Sequence, residues 1–218
     1  MDDRTSFGDI AALDSVAALT AMIWLSVDTY GGVDSYPLVK GNTDNTDNFL
    51  VGINSAGQVV VTVGDGTAGR PKGTWTGPIG TTTWKHLTIV FNGGGAANAD
   101  RLKLYIDGAN QALSFSGTIP ATTQASAHQL RVGGRGTDVT ASSCLNGQAA
   151  FLRAWSAALS ATEIETERWS TLAARTSNLV IDAEEEIDYS GNGHTGTVSG
   201  ALVAAGPPVA RLAGSILV

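Results

Sequence analysis

A chain of 218 residues with 43% hydrophobic residues, 15% charged residues and 27 glycines can bury one sizeable core, and its turn-rich composition excludes a disordered segment. Its formal charge of -7 opposes a phosphate backbone, which is held by clustered Lys and Arg, so nucleic acid is excluded as a partner. Cys144 is the single cysteine, which leaves no internal disulfide and no thiolate metal cluster.

The opening stretch "MDDRTSFGD" has neither a basic start nor an apolar h-region, so no secretory signal is read there. The most apolar run, Val16 to Val27, is too short to cross a bilayer, and no membrane insertion is expected. Within it, Ala21, Ile23, Leu25 and Val27 alternate with Met22, Trp24 and Ser26, the period of two that defines a strand. Both of its faces are expected to be buried. Similar runs follow as "SYPLVK", "NFLVGI", "VVVTV", "KHLTIVF", "RLKLYI", "HQLRV" and "QAAFLRAW", separated by Gly, Asn and Asp clusters. In "RLKLYIDG", Leu102, Leu104 and Ile106 face one way and Lys103 and Tyr105 the other, ahead of an Asp107-Gly108 hairpin turn. Many short strands without helical periods between them predict a sandwich or barrel.

One helix is predicted. Ser160 as N-cap with Glu163 three residues on forms a capping box, and the helix is expected to run from there to about Leu172 across one edge of the sandwich. Beyond it, "NLVIDAEEEIDYSGNGHTGTVSGALV" returns to strand and turn, and Pro207 and Pro208 exclude helix and central strand near the end.

The order of these motifs carries a resemblance. A strand centred on Trp24 is followed by "PLVKG", "GQVVVTVGDG", "WKHLTIVFNGG", "LKLYIDG", "LRVGG", "AAFLRAWSAALSATEI" and "DYSGNGHTGTVSGA", which together cover nearly the whole chain. It resembles the laminin G-like domain family. The resemblance implies an all-β, concanavalin A-like antiparallel β-sandwich (a jelly roll) with one short helix near 160–172, as a single domain over 1–218. In that family the Asp-x-Ser-Gly-Asn-Gly segment precedes the Trp strand, whereas here it follows the helix. Residues 178–201 are therefore expected to supply a strand and turn normally found at the domain start, which is easy when chain termini lie close together. Within that segment Gly191 and Gly193 are expected at positive φ, with Asp188, Ser190 and Asn192 capping local amides in a structural turn.

No catalytic set is legible. Glucanases of the resembled fold carry Glu-x-Asp-x-Glu on one strand; Glu186 and Asp188 begin that pattern, but Ser190 stands where the third acid belongs. The Gly64 to Gly69 stretch matches Gly-x-Gly-x-x-Gly, yet no helical period follows to meet a pyrophosphate. His86, His128 and His194 are scattered without zinc-triad spacing, and Ser142 and Ser143 lack a nucleophile elbow. The chain is read as a non-enzyme requiring no cofactor. The resemblance implies a rim calcium, for which Asp44, Asp47, Asp65 and Asp138 are the first candidates, since calcium takes hard oxygen ligands. For ligand contact, Trp75 lies in a Pro- and Gly-rich loop and Tyr30 and Tyr36 flank another, whereas Trp24, Trp84, Trp155 and Trp169 fit core positions.

Three functions follow. The first is a structural and interaction module displayed outside cells without export, which suits a bacteriophage virion: a capsid decoration or tail-associated protein, able to pair with a neighbour or with itself. The second is a carbohydrate-binding, lectin-like module that binds glycans, with calcium assisting. The third is a glycoside-active enzyme.

Overall fold

A computed structural model describes residues 4–31, 34–42, 47–67, 70–136, 143–201 and 206–207. Along the first half of the chain lie β1 (Arg4–Ser6), β2 (Ala18–Val27), β3 (Ser35–Lys40), β4 (Phe49–Ile53), β5 (Gln58–Val63), β6 (Lys72–Pro78), β7 (Lys85–Asn92) and the one-turn helix α1 (Asn98–Arg101). There follow β8 (Leu102–Ile106), β9 (Ala109–Gln111), β10 (Ser114–Ser116), β11 (Leu130–Val132) and β12 (Gly147–Trp155). Helix α2 (Ala161–Trp169) precedes β13 (Leu179–Glu184), β14 (Ile187–Asp188) and β15 (Thr197–Ser199).

The strands form two antiparallel sheets, one of eight strands in the order β10-β6-β5-β4-β3-β11-β1-β15 and one of seven in the order β14-β13-β12-β2-β7-β8-β9. This is the concanavalin A-like sandwich. Strand β2 explains the layering. Its Ala21, Ile23, Leu25 and Val27 enter the inter-sheet core with Leu38, Phe49, Val51, Val61, Leu87 and Leu104, while Met22 and Trp24 on its other face are buried on the outside of the seven-stranded sheet. Met22 lies with Tyr105, Trp155, Leu159 and Ile164 of α2, so a second, smaller apolar layer forms beneath the helix.

Helix α2 begins where its cap predicts: Glu163 N donates to Ser160 Oγ at 3.3 Å and Ser160 N donates to Glu163 Oε2 at 2.7 Å. It ends earlier than the sequence predicts, at Trp169 rather than near Leu172. The reason lies on another strand. Arg153 of β12 donates to the carbonyls of Glu167 at 2.8 Å and Ser170 at 2.7 Å, capturing terminal acceptors that a further turn would have needed. The same guanidinium donates to Asp182 Oδ1 at 2.8 Å and Glu167 Oε2 at 3.3 Å, making a buried charge cluster that ties α2 to β12 and β13.

Residues after α2 contribute to both sheets. Strand β13 pairs with β12, placing Ala154 opposite Ile181, and β15 pairs with β1, placing Ser6 opposite Thr197. Residues Val180, Ile181 and Ala183 are buried in the inter-sheet core.

Candidate functional site

The turn after β14 is built around one carboxylate. Asp188 accepts the backbone amides of Asp182 at 3.2 Å, Ser190 at 2.9 Å and His194 at 3.0 Å, and the Ser190 hydroxyl at 2.8 Å. Burial alone would raise this carboxyl, but the amide and hydroxyl bonds outweigh it and hold its pKa below the ordinary value. Asn192 donates its side-chain amide to the carbonyls of Leu179 at 3.0 Å and Val180 at 2.9 Å, and Gly191 and Gly193 take φ of 84° and 79°. Past this turn, Gly196 comes so close to its neighbours that a Cβ there would lie 2.9 Å from the Glu186 Cα. That approach lets the chain enter β15.

The far limb of the turn walls a cleft of about 640 Å³, lined by Arg4, Ser6, Gln129, His194, Thr197 and Ser199 with Phe7, Gly8, Gly193 and Thr195. Its volume falls within the roughly 300–1,000 Å³ of small-ligand sites. Register explains the lining. Arg4 faces Ser199 and Ser6 faces Thr197 across β1 and β15, and Ser6 faces Arg131 across β1 and β11. Directly opposed residues share a face. The neighbouring Val132 packs on the inter-sheet core, so these polar residues lie on the outer face of the eight-stranded sheet. Ser6 Oγ donates to Gln129 Oε1 at 2.6 Å, which leaves the Gln129 amide nitrogen as a donor.

Two cations sit together here. Arg4 Nη1 donates to the Gly136 carbonyl at 3.3 Å and Arg131 Nη1 to the Gly41 carbonyl at 2.9 Å, and among the described residues neither makes an ion pair. Burial, and then repulsion from Arg4, lower the Arg131 pKa from its usual value. Its Nε has no hydrogen-bond partner.

Of the residues singled out by sequence, Gly193 of the turn lines this cleft and the aromatic candidates do not. Trp75 is half-buried on the core with its indole folded against Gly77, and Tyr30 packs beside Gly57 and accepts the Gly80 amide at 3.0 Å. Tyr36 lies 5.3 Å under the Arg135 guanidinium. Trp24, Trp84 and Trp155 are buried or half-buried, but Trp169 is 50% exposed, against the expectation of a core position. Its indole rests between Arg168, 4.3 Å away, and Trp24, 6.1 Å away. Beside Trp24, His86 is pushed down to about 3 by burial first and then by the charges of Arg168 and Arg153.

Calcium does not fit the described acids. Asp47 is fully buried and gives Oδ2 to Arg135 at 2.5 Å and Arg70 at 3.7 Å, and Asp65 Oδ1 accepts the Thr67 amide at 2.9 Å in a local turn. Asp44 and Asp138 lie outside the described residues. Among the described residues no three His, Cys, Asp or Glu side chains converge as a metal site. One oxygen cage does exist, and a lysine fills it. Lys40 Nζ, fully buried, contacts Asp9 Oδ1 at 2.8 Å, Asp14 Oδ1 at 3.0 Å and the carbonyls of Ser126 at 2.5 Å and His128 at 3.3 Å.

Sequence reasoning missed Arg4, Ser6, Gln129, Thr197 and Ser199. They come from three stretches that meet only through strand pairing, and the alternation within "RTS" and "TVS" is too short to stand out.

A laminin G family model described as the concanavalin A-like lectin/glucanases superfamily matches residues 2–165. No curated protein matches the chain at a significant level. Among solved structures, a candidate carbohydrate-binding protein from Bacteroides ovatus is similar at 15% identity and a TM-score of 0.62, over 92% of this chain and 59% of that one. The chain thus spans 59% of the length of that protein. The CBM40 of Ruminococcus gnavus IT-sialidase, solved with α2,3-sialyllactose, is similar at 14% identity and a TM-score of 0.56, over 76% of this chain and 92% of that one. A Trypanosoma rangeli sialidase is similar at 15% identity and a TM-score of 0.51, over 69% of this chain and 22% of that one. At these identities the likeness is one of fold.

Proposed function

Since the chain belongs to the concanavalin A-like lectin/glucanases superfamily, we propose that it is a non-catalytic glycan-binding module whose ligand occupies the cleft between β1, β15 and the Gly193–Thr195 limb of the Asp188 turn. The observation that carries this reading is the cleft's lining. Hydroxyls of Ser6, Thr195, Thr197 and Ser199, the amide of Gln129, the guanidinium of Arg4 and the imidazole of His194 present donors and acceptors suited to sugar hydroxyls. Phe7, Gly8 and Gly193 complete the lining.

The same lining opposes hydrolysis. Most glycosidases place two carboxyl groups about 5–9.5 Å apart around the scissile bond, and sialidases use a tyrosine nucleophile. The cleft is lined by neither an acid nor a tyrosine. The carbohydrate-binding descriptions of the Bacteroides and Ruminococcus proteins agree with a binding role. The expectation of a capsid or tail partner draws no support from the cleft or from these relatives.

A glycan array probed with the purified chain tests the proposal, repeated in chelator because the described acids offer calcium no site. Binding is expected in both conditions, weakened by Gln129→Ala or Thr197→Val, with no release of reducing sugar. Loss of glycan binding in chelator, or binding indifferent to both substitutions, would contradict it.

A further inference from the structure

We propose that this cleft selects glycans bearing an oxyanion, a carboxylate or a sulfate, through the Arg4 guanidinium. The inference rests on the reading of the cleft as a glycan site. It starts from a contrast in charge. The chain carries 20 acidic residues against 13 basic ones, yet its ten cleft-lining residues include one arginine and no acid.

Arg4 commits one N–H to the Gly136 carbonyl at 3.3 Å, so most of its planar fork is left to pair with a ligand, and guanidinium matches carboxylate and sulfate oxygens two at a time. Arg131 lies on the same outer face, opposite Ser6, and adds a second positive charge behind the hydroxyls. Among the described residues, the acids beside this cleft are held in backbone contacts. Asp188 is occupied by three backbone amides inside its turn, and Glu186 Oε1 accepts the amide of Val198 at 3.3 Å. Ser6, Gln129, Thr197 and Ser199 then serve the neutral ring hydroxyls.

The test is a binding titration of the full chain against α2,3-sialyllactose, a galacturonate oligosaccharide and a 6-sulfated lactose, with lactose and a neutral galactan as partners. Anionic sugars are expected to bind at least tenfold tighter than their neutral counterparts, and the preference should shrink as salt rises from 0.05 to 0.5 M. Arg4→Gln should bring them to the neutral level. Arg4→Lys should keep part of the preference, since charge remains while the fork is lost. Gln129→Ala should weaken both kinds alike. The carboxylate and sulfate arms identify which oxyanion is read. Equal binding of neutral and anionic sugars, with Gln129→Ala still weakening both, overturns the charge selection and leaves the glycan reading intact. Failure of every sugar to bind overturns both. A preference that survives Arg4→Gln, in a variant melting like the parent, also overturns the assignment.

Discussion

Replacing Arg153 by Met should be among the most damaging single changes this fold can receive. The guanidinium is 4% exposed, and it faces Glu167 and Asp182, whose side chains are 1% and 2% exposed. Met keeps most of the volume and removes the charge, so two carboxylates are left in the apolar layer between β12 and α2. Breaking a buried ion pair from one side costs about 3–5 kcal/mol. Here the lower half of that range is expected, because Glu167 keeps the amides of Ala174 at 3.1 Å and Arg175 at 2.6 Å, and Asp182 keeps that of Ala173 at 2.9 Å. The Ser170 carbonyl also loses its Arg153 donor, and that of Glu167 keeps only the Ser170 amide at 3.2 Å. For a chain of this size each kcal/mol lowers Tm by about 2–4 °C, so the melt followed by calorimetry should fall by roughly 6–15 °C. The triple variant Arg153→Met, Glu167→Gln, Asp182→Asn removes the stranded charges and should regain at least half of the loss. A fall of less than about 2 °C for the single variant, or a triple variant melting lower still, would show that charge compensation is not what holds α2 down.

Three further outcomes are expected. His86 has a folded pKa near 3 against an ordinary value of 6.5, so as pH drops from about 6.5 toward 3 the unfolded chain takes up a proton that the folded one refuses. Stability should decline across that window at up to about 1.4 kcal/mol per pH unit, and urea unfolding of His86→Phe should show a flatter slope between pH 6.5 and 5; identical slopes would refute the shift. Asp188→Ala removes the acceptor for three amides of its turn, which should cost about 1–3 kcal/mol in urea unfolding and weaken glycan binding through displacement of His194. A variant that unfolds and binds like the parent would separate the turn from the cleft. Residues 1–176 alone lack β13 to β15 and with them the buried Val180, Ile181 and Ala183, so this fragment should show no cooperative melt; a sharp transition near the parent Tm would show that the later strands are dispensable.

What could be read from the amino acids divides by range. Strand β2 was legible because alternation is local, and the start of α2 was legible because Ser160 and Glu163 are three residues apart. The sandwich itself followed from many such strands in a familiar order. The end of α2 was not legible, because Arg153 from β12 takes the carbonyls at that end. Asp47 looked like a free loop acid for a similar reason: Arg70 and Arg135, which hold it, are remote in the chain. The cleft was the hardest to foresee. Its walls join β1 to β15 at a sequence separation of 191 (197 - 6), and no spacing rule announces a pairing made at that distance.

Lys40 carries one more consequence. Four oxygens from two separate stretches, 9–14 and 126–128, close on its nitrogen at 2.5 to 3.3 Å, much as donors gather round a dissolved ion. This cation, though, is fastened to a strand. It cannot be diluted away or stripped by a sequestering agent, so the segments near Asp9, Asp14 and Ser126 keep their arrangement whatever the supply of divalent ions in the surroundings.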